Sequence, residues 1–325
     1  MASALAALMS MPSMPLAPHA TPVDDMTRLA RELGPASPRI LIKRDDLLSF
    51  GCGGNKVRKL QLVLAEARAR GADTLITCGG PQSNHARATA AAGAALGMRV
   101  LLVLNGTGQT VPTGNARLDR LFGAEIHFVP DRADRGPAMD SLAASVQAQG
   151  GRPYVIPLGA STPLGAAGFA RGVAEIATTA LRPDVIVHAS SSAGTQAGLI
   201  AGCALLGLQP RIIGVSADEP ADTLRTLVRE LIEGMASMLG AKQATIGLDR
   251  DIEVDDSQVG DGYGVPTASS TEALELVARR EGILLDPVYT AKAMAGLVAR
   301  VRQGEFNEGQ TILFWHTGGQ VGYFA

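Results

Sequence analysis

The chain has 325 residues, and domains commonly hold about 100–150, so one large or two smaller domains are expected. Hydrophobic residues make up 46% and charged residues 18%, which allows a sizeable core and excludes a disordered or fibrous chain. With 29 Lys and Arg against 31 Asp and Glu, and only 4% aromatics, neither the basic footprint nor the stacking platform of a nucleic-acid binder is present.

The first twenty residues are apolar but carry no Lys or Arg, which fails the charged-then-apolar test of a secretory signal. Pro12, Pro15 and Pro18 make this stretch a poor helix, so residues 1–20 are expected to be a mobile extension or loop packed against the body. Next, ILIKRDD (40–46) reads as a strand and NKVRKLQLVLAEARARG (55–71) as a helix, with Val57, Leu60, Leu64 and Ala67 on one face. DTLITCGG (73–80), a small-residue helix over 83–97 and the strand 98–106 complete a parallel crossover. The alternation continues with helix 113–123, strand 125–129, helix 137–150, strand 152–159, helix 164–180, strand 183–190, helix 194–207 and strand 211–217. Two further helices and a last buried strand, 311–319, end the chain. This order predicts an α/β protein with open parallel sheets covered by helices on both faces. No run of about 18 apolar residues suggests a membrane span. Cys52, Cys78 and Cys203 form no CxxC pair and are odd in number, which points to a reducing, cytoplasmic setting.

Ligands of open α/β sheets bind beyond the carboxyl ends of the strands. Four polar, glycine-rich turns follow strands here: GCGGNKVRK, GGPQSNH, SSSAGTQAG and TGGQ. SSSAGTQAGL (190–199) opens a helix with small residues, where backbone N–H groups and the helix dipole suit an anion. It lacks GxGxxG and the P-loop lysine, so a single phosphate fits better than a dinucleotide. Lys56 stands at a helix start behind Gly53 and Gly54, where the positive helix end lowers an ammonium pKa and favours Schiff-base chemistry with an aldehyde. Taken alone, Lys56, Arg58 and Lys59 would be a solvated basic face. Ser83, Asn84 and His85 open another helix; Ser83 and Asn84 are good capping types, and the functional alternative is that these side chains and N–H groups bind a substrate carboxylate and a cofactor oxygen. The histidines show no metal-ligand spacing, and no metal is expected. Tyr263 and Tyr289 sit in Gly/Pro-flanked turns.

Together GGNKVRKL, QSNHAR, SAGTQAGL, GYGVP, LLDPVYTAKAMAGL and HTGG resemble the D-cysteine desulfhydrase and 1-aminocyclopropane-1-carboxylate deaminase group of pyridoxal-phosphate enzymes. The resemblance runs from about Pro15 to the C-terminus. It implies a tryptophan-synthase-β-like (fold type II) architecture, with residues 1–58 and 167–325 forming the large cofactor lobe and 59–166 an inserted lobe. Carried over, Lys56 would hold pyridoxal phosphate covalently and move protons. Lys59 and Ser192, Ala193, Gly194 and Thr195 would hold its phosphate, and Asn84 would contact the ring hydroxyl. Ser83, Asn84 and His85 would bind the substrate carboxylate, with Ser83 also placed for acid–base work. Tyr263 and Tyr289 would line the substrate side. The deaminases carry Glu and Leu where this chain has Thr290 and Thr317, as the desulfhydrases do. A neutral hydroxyl facing the ring nitrogen weakens the electron sink, which suffices when a good leaving group departs from Cβ. The implied reaction is β-elimination, with D-cysteine giving pyruvate, hydrogen sulfide and ammonia. L-cysteate sulfo-lyase and cyclopropane-ring deaminase activities are alternatives; a racemase or a non-catalytic binding protein would be of another class. Ser191, where the family has Gly, is a departure beside the phosphate turn. The resemblance also implies a homodimer.

Overall fold

In the computed structural model, which describes residues 2–108 and 111–325, the N-terminal segment is ordered rather than loose. Ala2–Ser10 forms helix α1. The expectation of a loop over 1–20 gave too much weight to prolines that all lie beyond Ser10; the Ala- and Leu-rich stretch before them favours helix. Ala4 and Leu8 are buried there, and Arg171 donates to the carbonyls of Met9 and Met11 (2.8 and 3.1 Å). Met1 of this segment, and Gln109 and Thr110 of the expected 59–166 lobe, lie outside the described residues.

The chain continues through β1 (Val23–Asp25), α2 (Thr27–Leu33), β2 (Arg39–Arg44) and α3 (Asn55–Ala69). Then come β3 (Thr74–Gly79), α4 (Asn84–Leu96), β4 (Arg99–Asn105), α5 (Gly114–Leu121), β5 (Glu125–Val129), α6 (Arg135–Ala148) and β6 (Pro153–Ile156). The remainder is α7 (Pro163–Ala177), β7 (Val185–Ser190), α8 (Gly194–Leu205), β8 (Arg211–Ser216), α9 (Ala221–Met238), β9 (Glu253–Asp255), α10 (Ala268–Glu281), α11 (Thr290–Arg302) and β10 (Thr311–His316). Three long helices, not two, therefore separate β8 from β10. The short edge strands β1 and β9 are too brief to show a period in the sequence.

Two sheets result. One has the order β1-β2-β10-β7-β8-β9 and the other β5-β4-β3-β6. Every pairing is parallel except β1 on β2. Parallel strands buried on both faces read as continuous apolar runs, and VIVHAS of β7 and TLITCG of β3 are buried throughout. The first sheet carries one core toward α1, α7, α8 and α9, and a second toward α2, α10 and α11. The helices that feed the site are packed unusually close. A side chain at Gly168 of α7 would lie 2.5 Å from the Arg58 carbonyl of α3, and one at Gly198 of α8 would lie 2.5 Å from the Ala166 carbonyl. Glycine at these contacts brings the N-terminus of α3 and that of α8 to the same place.

Candidate active site

The carboxyl ends of both sheets face a shared cavity of about 620 Å³. All four glycine-rich turns reach it: Asn55 and Lys56 after β2, Gly79 to His85 after β3, Ser190 to Thr195 after β7, and Thr317 and Gly318 after β10. Three turns that the sequence reading passed over also line it. These are Pro157–Ser161 after β6, Asp218 and Glu219 after β8, and Arg132 and Arg135 after β5.

Lys56 is the second residue of α3. Its Nζ lies 3.4 Å from where a Cβ on Gly159 would be, and Ser192 Oγ lies 2.4 Å from the same point. The amine is therefore beside the serine-rich turn, not in solvent. Gly159 has φ +68°, so both backbone conformation and space demand glycine there. Burial pushes the Lys56 ammonium down to about 8, against the opposing pull of Asp218. Burial, more than the positive helix end, lowers the pKa of this amine.

The turn before α8 is strained. Gly194 N–H donates to the Ser192 carbonyl (2.7 Å), and Ala193 between them has φ +64° and ψ −33°. This is a γ-turn of the rare positive-φ kind, held by Ser161 Oγ donating to Ser192 Oγ (2.8 Å) and by Asn55 donating to Thr195 Oγ1 (2.8 Å). Lys59 lies behind the turn and does not line the cavity: its buried Nζ donates to Ser161 Oγ (3.1 Å) and the Gly159 carbonyl (3.3 Å). The one-turn offset along α3 carries the Lys59 amine beneath Gly194. Burial, then the nearby Lys56, holds its ammonium well below the usual lysine range.

Ser83 caps α4 by accepting from Ala86 N–H (3.2 Å) and also lines the cavity. Asn84 Oδ1 accepts from Asn115 Nδ2 (2.9 Å), which leaves Asn84 Nδ2 free to donate. The side chain of His85 is another matter. Thr77 Oγ1 donates to the Ile156 carbonyl (2.7 Å) and sits 2.8 Å from His85 Nε2, so Nε2 carries the proton and Nδ1 is a bare acceptor. Burial, with Lys56 and Lys59 adding to it, holds the ring neutral. His85 can offer a carboxylate its backbone N–H but not an imidazole proton.

Tyr263 and Tyr289 meet with their hydroxyls 2.5 Å apart. Burial raises both phenol pKa values, so they hold their protons through neutral pH. Thr317 is buried and lines the cavity. Thr290 is not part of the lining: its hydroxyl bonds to Asp286 Oδ1 (2.7 Å) and receives Asp286 N–H (2.7 Å). Of the two threonines, only Thr317 is positioned to meet a bound group directly.

Lys292 supports the tyrosine wall. Its buried Nζ donates to the carbonyls of Val259 (2.7 Å), Gly262 (2.9 Å) and Ala217 (3.1 Å), tying the Tyr263 loop to the Asp218 turn. Lys292→Met leaves three carbonyls without their donor, each costing about 1–3 kcal/mol. The expected result is a lowered melting temperature and a rise in KM larger than the fall in kcat, measured by thermal unfolding and steady-state kinetics.

The foot of α3 is fixed by a buried ionic network. Arg58 Nε and Nη2 donate to Asp45 (2.7 Å each) and Nη1 to Glu175 Oε1 (2.6 Å). Trp315 Nε1 and Thr21 Oγ1 also donate to Asp45 (2.8 Å each), and Lys43 pairs with Glu175 (2.5 Å).

The residues fit pyridoxal phosphate. The Lys56 charge depresses Lys59, both lysines depress His85, and among the described residues neither lysine makes an ion pair. A buried ammonium without a counter-ion is costly, and the strained N-terminal turn of α8 offers the N–H groups an anion needs. An anion bearing an amine-reactive carbonyl answers both features. The comparisons agree. A D-cysteine desulfhydrase of Yersinia pestis (strain Pestoides F) is 41% identical over 98% of this chain and 97% of its own length. One from Salmonella choleraesuis (strain SC-B67) is 42% identical over 97% and 96%. A crystal structure described as an ACC deaminase homologue superposes with a TM-score of 0.91 at 37% identity, covering 100% of this chain and 97% of that one. The processed form of threonine deaminase isoform 2 from Solanum lycopersicum, with TM-score 0.67 at 16% identity over 97% and 83%, shares the fold, which is fold type II as the resemblance implied. The family model for pyridoxal-phosphate dependent enzymes matches residues 15–318, and the chain belongs to that family.

Proposed function

We propose that the chain is a β-elimination lyase that converts D-cysteine and water to pyruvate, hydrogen sulfide and ammonia. The observation that carries this reading is the half-buried Lys56 amine, with its pKa near 8, set beside the Ser190–Gly194 turn. The desulfhydrase relatives at about 41% identity support the choice of substrate.

Bound pyridoxal phosphate supplies an electron sink that allows the α-proton to leave and the β-substituent to depart with its bonding pair. Lys56 would hold the cofactor covalently, and its Nζ, once released, is the base that takes the proton from Cα. Ser191, Ser192 and the first N–H groups of α8 would hold the phosphate, with Lys59 adding charge from behind. Asn84 Nδ2 would donate to the ring hydroxyl, and the Thr317 hydroxyl would meet the ring nitrogen without adding charge. Ser83 and the N–H groups opening α4 would bind the substrate carboxylate. Tyr263 and Tyr289, holding their protons, are fitted to donate to the departing substituent.

The two sheets support lobes of 1–58 with 167–325 and of 59–166, since every strand of the second sheet lies within 74–156. We place the enzyme in the cytoplasm as a homodimer, in line with the resemblance and with three free cysteines; among the described residues no helix is long and apolar enough to cross a membrane.

The test is pyruvate release from D-cysteine, L-cysteine, L-cysteate, β-chloro-D-alanine and D-serine. Pyruvate with ammonia and sulfide from D-cysteine is expected. An inverted or β-substituted amino acid as the main product would replace the proposal with a racemase or a synthase.

A further inference from the structure

Two guanidinium groups at the tyrosine end of the cavity have no role in the scheme above. Arg132, in the turn between β5 and α6, and Arg135, the first residue of α6, lie on the side of the smaller sheet, and both line the cavity. The Arg132 guanidinium lies 4.9 Å from the centre of the Tyr263 ring, an arrangement in which the ring face supports the cation. Arg135 bonds to Asn105 Oδ1 through one nitrogen. Its Nε is buried and has no hydrogen-bond partner, an uncommon condition for a charged donor. Its charge is felt alongside Arg132, Cys78, Tyr263 and Tyr289.

Among the described residues no carboxylate forms an ion pair with either arginine. Asp218, Glu219 and Glu230 share the cavity, and the Asp218 charge reaches both tyrosines as well as Lys56 and Lys292, yet none of the three is within ion-pair distance of either guanidinium. Two like charges lining one wall, one of them with an unsatisfied donor, suit an anion. Lys56 and the serine turn already provide for the phosphate, so the anion these arginines suit is a different one.

We propose that Arg132 and Arg135 bind the β-substituent of the substrate as an anion, and that the site selects amino acids whose β-substituent is a sulfonate or a thiolate over those bearing a neutral hydroxyl. In the elimination the Cβ–S bond breaks and sulfur keeps the electron pair; a sulfonate leaves as sulfite, whereas a thiolate takes a proton from Tyr263 or Tyr289 and leaves as hydrosulfide, so the guanidiniums stabilise an anion present before and after the bond breaks. This rests on the reading that the tyrosine wall receives the β-substituent.

The test titrates each enantiomer of cysteate into the cofactor-loaded enzyme, following the visible absorbance of the cofactor for binding and pyruvate for turnover. One enantiomer is expected to bind. Arg135→Gln and Arg132→Gln should each weaken it roughly tenfold, as expected for a lost charge-assisted hydrogen bond, while the binding of D-alanine, which has no β-substituent, changes less than about threefold. Arg135→Lys should recover part of the affinity, which a purely structural role would not show. Unchanged cysteate binding in both Gln variants, with the absorbance band intact, would overturn the proposal, as would the absence of cysteate binding to the unaltered enzyme. Arginine-dependent binding without pyruvate from any compound supports the subsite and removes only the elimination reading.

Discussion

Replacing Lys56 with Ala is expected to lower pyruvate release roughly 1,000-fold or more, because one substitution removes both the covalent anchor of the cofactor and the base at Cα. The fold should survive, since Lys56 makes no ion pair and lies at the cavity wall. Circular dichroism and thermal unfolding of the variant separate lost chemistry from lost structure. The amine also sets a pH signature. With its pKa near 8, about a tenth of the Lys56 amine is neutral at pH 7, far more than for an ordinary lysine near 10.4. Only the neutral amine attacks an aldehyde, so reloading of cofactor-free enzyme should accelerate as pH rises and level off above about 8. A midpoint near 10.4 would show that burial does not act on this amine as described.

Asp45→Ala is expected to be the most destabilising single change, by about 3–5 kcal/mol, the cost of breaking a buried ion pair from one side. Asp45 is wholly buried and accepts from Arg58, Trp315 and Thr21. Its loss leaves the buried Arg58 guanidinium with Glu175 as its one acidic partner and Trp315 of β10 without a partner. A fall in the urea midpoint measures this. Because Arg58 and Lys56 are two residues apart on α3, turnover of the folded fraction should fall as well. The same network fixes a pH dependence. Burial alone would raise the Asp45 and Glu175 carboxyls, but Arg58 and its neighbours outweigh it and hold both below the usual carboxylate range. Depressed folded-state values stabilise the protein above the ordinary carboxylate pKa of about 4 and lose that effect as pH falls through the lower, folded-state values. Acid unfolding should therefore be shallower in Asp45→Ala, which has already lost this contribution.

The sequence made much of this legible because helices and buried parallel strands impose different periods. Val57, Leu60, Leu64 and Ala67 could only be one face of α3, and the apolar runs of β3 and β7 only interior strands. Lys56 and the Ser190–Thr195 turn were readable for the same reason, since each sits where a strand hands over to a helix. The turns that escaped notice do the same job in other chemistry. Asp218 and Glu219 follow β8, and Arg132 and Arg135 follow β5, but charged residues after a strand look like ordinary surface until the second sheet is placed opposite the first. Gly159 escaped because its constraint is a contact with Ser192, more than thirty positions later in the chain. The roles of Lys59, Thr290 and the His85 ring depended on direction within a turn of helix and on one shared proton at Thr77, which no spacing encodes. The helix at Ala2–Ser10 was obscured by prolines that begin only after it ends.

The most direct measurement is borohydride reduction of the purified enzyme with its cofactor, followed by proteolysis and mass spectrometry. A single pyridoxyl adduct on Lys56, in the peptide that spans the start of α3, is expected. An adduct on Lys59 or another lysine, or none in an enzyme that still releases pyruvate, would contradict it.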